Sequence, residues 1–167
     1  MWKQISDRLK EYPGKLKVAR ELVELGLSVK EGPKIYCGGI ELSDVKIARH
    51  LGVDRRTVRD TAQLIFSDPI LKSVFERLRP AGPFLADAAR FLGYSVIEIY
   101  ADSNSVGIVA QAASLIAQEN ISIRQAVADD PDLSPEPKLT LVVEKEPSGT
   151  ILQKMLKIPG VLKISTY

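Results

Sequence analysis

The chain has 167 residues, a formal net charge of +2, and 45% hydrophobic against 26% charged residues. That is the balance of a soluble globular protein, with room for one medium or two small domains, and it excludes a disordered or fibrous chain. No apolar run is long enough to span a bilayer, and the charged start Met1-Trp-Lys-Gln-Ile-Ser-Asp does not read as a secretory leader, so a cytoplasmic protein with no membrane partner is expected.

In chain order, residues 1–93 read almost entirely as helix. Helical spacing covers about Trp2–Lys10, then Lys15–Leu25, with Gly26 as a C-terminal cap. Glu31-Gly-Pro-Lys-Ile-Tyr-Cys-Gly-Gly is a turn-rich connector with a short extended piece at Lys34–Tyr36. Helices follow at Asp44–Leu51, Arg55–Phe66 and Pro69–Arg77, the last with Asp68 as N-cap and Pro69 in its first turn. Pro80-Ala-Gly-Pro breaks the chain, and a short helix from about Phe84 to Leu92 ends at Gly93, where a domain boundary is expected.

After Gly93 the pattern changes. Strands are expected at Ser95–Ala101, Ile121–Val127, Leu139–Glu144 and Val161–Ser165, and helices at Gly107–Gln118 and Ser148–Leu156. The order βαββαβ with right-handed crossovers places both helices on one face of an antiparallel sheet. The other face then needs cover, from the N-terminal half or from a second copy of the chain. The fold class is therefore α+β: an all-helical domain over 1–93 followed by a ferredoxin-like domain over 94–167. Charge divides along the same line, with 17 Lys+Arg against 12 Asp+Glu before residue 94 and 6 against 9 after it. A basic half and an acidic half point to different partners.

The chemistry-bearing residues exclude more than they include. One cysteine rules out an intrachain disulfide, and Cys37 with the lone His50 is too small a set for structural zinc. Cys37 as nucleophile with His50 as base reads less well than a turn cysteine and a surface histidine. The acidic loop Asp129-Asp-Pro-Asp, with Pro131 and Pro135, reads as solvated rather than metal-binding. No phosphate-loop, dinucleotide-loop or zinc-protease signature is present. No catalytic residue, metal or cofactor is assigned, and a non-enzyme is expected.

The sharpest local signal is Leu42-Ser-Asp-Val-Lys-Ile-Ala-Arg-His-Leu-Gly-Val-Asp-Arg-Arg-Thr-Val-Arg-Asp. Ser43 and Asp54 stand where N-caps belong, Ala48 is small where two helices cross, Gly52 suits a tight turn and Val58 anchors the second helix. This spacing resembles the helix-turn-helix of bacterial and archaeal regulators. The resemblance implies that the second helix enters the major groove, with Arg55, Arg56, Thr57, Arg59 and Gln63 as DNA-binding residues. A helical hairpin with a solvated arginine face is the competing reading.

At the first strand–helix junction of the C-terminal half, Ala101-Asp-Ser-Asn-Ser-Val-Gly-Ile is similar to the ligand loop of ACT domains. There an Asp ends the strand and a Gly opens the helix, whose free N–H groups attract an anionic group. The resemblance implies ligand contacts from Asp102, Asn104, Ser105, Val106, Gly107 and Ile108. The loop departs from the commoner pattern, because Gly107 lies five positions after Asp102 and no proline precedes it. Across nearly the whole chain, Ile35-Tyr-Cys-Gly-Gly-Ile, Gly52-Val-Asp-Arg-Arg, Arg79-Pro-Ala-Gly and Leu92-Gly-Tyr-Ser-Val-Ile-Glu-Ile resemble archaeal regulators of amino-acid metabolism that contain an ACT domain. That implies a ligand-responsive transcription regulator. Its partners would be an amino acid or related effector, DNA, and further copies of itself in a homodimer or higher homo-oligomer. The alternative is an effector-binding module that controls a partner enzyme without touching DNA.

Overall fold

The computed structural model describes residues 2–167. It is a mixed α+β chain with two antiparallel sheets, and compact packing divides it between Gly82 and Pro83. No helix among the described residues is long and apolar enough to cross a membrane.

In the first unit, α1 (Trp2–Leu9) buries Trp2, Ile5 and Leu9 at helical spacing, and α2 (Pro13–Glu24) buries Val18, Ala19, Leu22 and Val23. Pro13 opens α2, where its missing N–H costs nothing. Gly26 follows the helix in the expected cap, with the Leu27 N–H donating to Leu22 O at 2.7 Å.

The unit is not all-helical as the pattern implied. Three short strands, β1 (Ser28–Lys30), β2 (Lys34–Cys37) and β3 (Ile40–Glu41), form an antiparallel meander in which Val29 faces Ile35 and Cys37 faces Ile40. Each strand is too short to show a period. Only Ser28, Val29 and Ile35 are buried, so the hydrophobic signal is confined to Val29 and Ile35.

Helices α3 (Asp44–Leu51), α4 (Arg55–Ser67) and α5 (Pro69–Phe75) complete the unit. Asp68 caps α5 as expected, its Oδ1 accepting from Ile70 N at 2.8 Å and Leu71 N at 3.0 Å. Helix α4 buries Val58, Thr61, Ala62 and Ile65 along one side, and Phe75 of α5 is fully buried.

The second unit begins with a 3-10 helix, Ala86–Leu92, and continues as β4 (Ser95–Ala101), α6 (Ile108–Gln118), β5 (Ile123–Ala128), β6 (Lys138–Val143), α7 (Gly149–Met155) and β7 (Val161–Thr166). The sheet order is β5-β6-β4-β7 with every neighbour antiparallel, the ferredoxin-like arrangement expected from the βαββαβ order. Ile97 and Ile99 of β4 and Leu139, Leu141 and Val143 of β6 point to one face. There they pack with Ile108, Ala112 and Ile116 of α6 and Ile151 and Met155 of α7. Burying each such side chain contributes about 1.5–3 kcal/mol over leaving it exposed.

The opposite sheet face is covered at one end by the 3-10 helix. Ala86 and Ala89 pack on Val96 and Val142, and Gln125 of β5 pins the segment by accepting from Leu85 N at 2.8 Å and donating to Pro83 O at 2.7 Å. This is why residues 83–93 pack with the second unit, whereas the boundary read from the pattern fell after Gly93.

Candidate functional site

Helices α3 and α4 are joined by Gly52-Val53-Asp54. Gly52 has φ +63, a left-handed conformation that side chains disfavour, and the Val53 N–H returns to Ala48 O at 3.0 Å. Asp54 caps α4, its Oδ1 accepting from Arg56 N at 2.7 Å. Ser43 occupies the N-cap position of α3, but its side chain makes no capping bond. Asp54→Ala is expected to lower the stability of this unit by about 1 kcal/mol, and Asp54→Ser to recover most of the loss. Urea unfolding followed by the fluorescence of the buried Trp2 measures both.

Arg55, Arg56, Arg59 and Gln63 are all exposed on α4, whose opposite side is buried. Among the described residues Arg55 and Arg56 have no ion-pair partner, whereas Arg59 Nε lies 4.0 Å from Asp44 Oδ2 and Gln63 donates to Ser67 Oγ at 3.1 Å. Thr57 is half-buried against α2: a Cβ at Gly14 would lie 3.1 Å from its methyl, so its contacts run inward. Arg55, Arg59 and Gln63 also line one side of a cleft of about 570 Å³, whose remaining lining comes from residues 32–34 and 41–45. Lys34, the first residue of β2, bonds Glu41 at 2.7 Å, and its ammonium is held above its ordinary pKa mainly by that bond. The meander's place beside α4 was not visible in the pattern. The one sequence signal was the Lys34–Tyr36 extended piece.

In the second unit the β4–α6 loop forms an Asx-type turn. Asp102 Oδ1 accepts from Asn104 N at 3.0 Å and from Asn104 Nδ2 at 3.2 Å. The loop is tied to the turn before β7 by the Asp102 N–H donating to Gly160 O at 2.9 Å. Asp102, Ser105 and Ile108 line a recess of about 180 Å³, together with Asp129 and Pro131 from the β5–β6 connection and Lys138 of β6. That is below the roughly 300–1,000 Å³ of drug-sized sites. Asn104, Val106 and Gly107 do not line it, and Val106 is 90% exposed. The acidic loop, read from sequence as merely solvated, supplies part of the wall.

The sheet face on which the 3-10 helix packs also carries a polar network. Glu98 is 8% exposed and accepts from Lys138 Nζ, from Tyr100 Oη at 3.0 Å and from Tyr167 Oη at 3.2 Å. Burial pushes the Glu98 carboxyl up, but the bonds from Lys138, Tyr100 and Tyr167 outweigh it and hold the group below its ordinary 4.5. The folded carboxylate therefore binds a proton less readily than the unfolded one. Its contribution to stability is complete above about pH 4.5 and is lost as pH falls through the lower folded value. Glu98→Gln is expected to flatten the acid limb of a urea-midpoint profile between neutral pH and pH 3. Parallel wild-type and variant profiles would refute the network's role.

His50 lies on the exposed side of α3 with Nε2 3.0 Å from Glu21 Oε1, and Cys37 is half-buried on β2.

No family model matches the chain, and no curated protein matches it. Among solved structures, the chain is similar to the ACT domain of a GTP pyrophosphokinase from Chlorobium tepidum, with 19% identity, 44% of this chain and 96% of that one covered, and a TM-score of 0.36. It is also similar to the C-terminal domain of the MgtC protein from Mycobacterium tuberculosis, with 16% identity, 44% and 83% covered, and a TM-score of 0.33.

Proposed function

We propose that this chain is an effector-responsive transcription regulator of the archaeal kind described above. Its first unit would dock α4 of a helix-turn-helix in the major groove of duplex DNA. Its second unit, an ACT-type domain, would bind an amino acid or related metabolite at the β4–α6 loop and pair with another copy. The observation that carries the reading is α4 itself. It is a capped helix with its apolar side buried and Arg55, Arg56, Arg59 and Gln63 all exposed. Arginines suit guanine edges and phosphates, and a glutamine suits adenine. No step of covalent chemistry is assigned to any residue, and the protein is read as a cytoplasmic non-enzyme.

Pairing would space two α4 helices along one duplex, and an effector that binds one spacing better than another would shift the equilibrium between them. Gel retardation of genomic fragments, with and without each amino acid and a set of phosphorylated metabolites, tests this directly. Retardation that is absent, or that no amino acid or phosphorylated metabolite alters, overturns the reading.

One observation favours a second reading, in which the second unit senses a metabolite and the first docks on a partner enzyme. Two cations of the α4 cleft, Lys34 and Arg59, already face carboxylates, Glu41 and Asp44. Pull-down from native lysate discriminates, because an enzyme rather than DNA would be recovered.

A further inference from the structure

The cleft beside α4 holds three cations from two elements. Lys34 comes from β2, and Arg55 and Arg59 come from α4. Glu41, at the end of β3, and Asp44, at the start of α3, line the same cleft. Glu41 grips Lys34 Nζ with both oxygens, at 2.7 and 2.9 Å, while Asp44 stands 4.0 Å from Arg59 Nε. Arg55 has no ion-pair partner among the described residues. The paired side chains are between 27% and 57% exposed, so these ion pairs are screened and weak. An anion bringing several charges at once can displace both carboxylates.

We propose that this cleft takes one sugar–phosphate strand of a DNA duplex. Lys34 joins Arg59 as a phosphate contact, and Glu41 and Asp44 occupy these two cations in the free protein until the strand replaces them. The inference rests on the DNA-binding reading above and adds to it a second contacting element, the start of β2. Its chemistry is a like-for-like exchange. Carboxylate oxygens bonded to an ammonium and a guanidinium give way to phosphate oxygens, which accept the same bonds. Gly32 and Pro33 form part of the same wall, and the carboxylate of their turn, Glu31, is exposed and does not line the cleft. The displaced carboxylates have a consequence of their own. Until α4 is seated they repel the backbone, so they act against non-specific duplex binding.

The test uses the full chain and fluorescence anisotropy of a labelled random-sequence duplex and a retained genomic fragment, each titrated across salt concentration. Lys34→Ala is expected to weaken binding to both duplexes alike and to reduce the slope of log affinity against log salt by about one. Lys145→Ala, which removes the same charge from the second unit, is expected to leave that slope unchanged. Glu41→Gln combined with Asp44→Asn is expected to raise affinity for the random duplex several-fold. A Lys34→Ala slope equal to wild type, while Arg55→Ala lowers it, overturns the proposal and leaves the DNA-binding reading standing. Equal drops for Lys34→Ala and Lys145→Ala also overturn it, because they report net charge alone. A wild-type chain that binds neither duplex removes both. Lys34→Gln, which removes the charge but keeps most of the exposed side chain, replaces Lys34→Ala if the latter fails to give the wild-type circular dichroism spectrum.

Discussion

Gly160→Ala is expected to destabilise the second unit by about 2–5 kcal/mol, from a left-handed backbone penalty of about 1–2 kcal/mol and an overpacking cost of about 1–3 kcal/mol. Gly160 has φ +88, and a Cβ there would fall 2.5 Å from Ser105 Cβ and closer still to its Oγ. Ser105 belongs to the β4–α6 loop and lines the 180 Å³ recess, so the added methyl pushes on the candidate effector site as well as on the fold. The two costs separate in a double-mutant cycle. Ser105→Gly in the Gly160→Ala background relieves the overlap and leaves the backbone strain, so part of the loss is expected to return. Urea midpoints, with hydrogen exchange of peptides from residues 94–167, read the result. A Gly160→Ala protein as stable as wild type would show that the two turns do not meet as described.

Arg55→Ala with Arg56→Ala is expected to weaken duplex binding on the order of a hundredfold or more, since each well-placed arginine–base contact discriminates by about 1–3 kcal/mol. Stability should change by less than about 0.5 kcal/mol, as both side chains are exposed and neither has an ion-pair partner among the described residues. The Asp54 cap engages the Arg56 backbone N–H, which alanine retains, so α4 should still begin at residue 55. This separation makes the result informative. A variant that melts like wild type, binds effector like wild type and loses DNA isolates the α4 face as the contact. A variant that still retains DNA at wild-type affinity would transfer α4 to the partner-docking reading.

The elements most legible in the sequence were those with strong local punctuation. Asp54 and Asp68 each carry a side chain that accepts from the first turn, and α4 and α5 start where those residues place them. Gly52 marks the α3–α4 turn by needing a positive φ, and the alternation of Ile97, Ile99, Leu139 and Leu141 marks β4 and β6. Of the meander only the extended piece at Lys34–Tyr36 was legible, because strands of two to four residues carry no measurable period. The segment before β4 read as an ordinary helix, but it is 3-10, with only Ala86 and Ala89 buried and Phe91 90% exposed. A helix with so narrow a buried stripe depends on the sheet beneath it rather than on its own pattern.

The candidate sites divide in the same way. Local sequence was enough to order α3, the turn and α4, to put the arginines on the exposed side of α4, and to run the βαββαβ chain into one sheet. These follow from caps, glycine conformations and hydrophobic period, which act over a few residues. Tertiary packing alone decided which distant residues became neighbours. Lys34 and Glu41 came beside Arg59 because a meander pairs across its turns. Glu98 met Lys138 and Tyr167 because β6 flanks β4 and the β7 strand ends beside it. Ser105 met Gly160 because β7 flanks β4 on the side opposite β6. Such contacts join residues far apart in the chain, and their energy appears only once the sheet order is set.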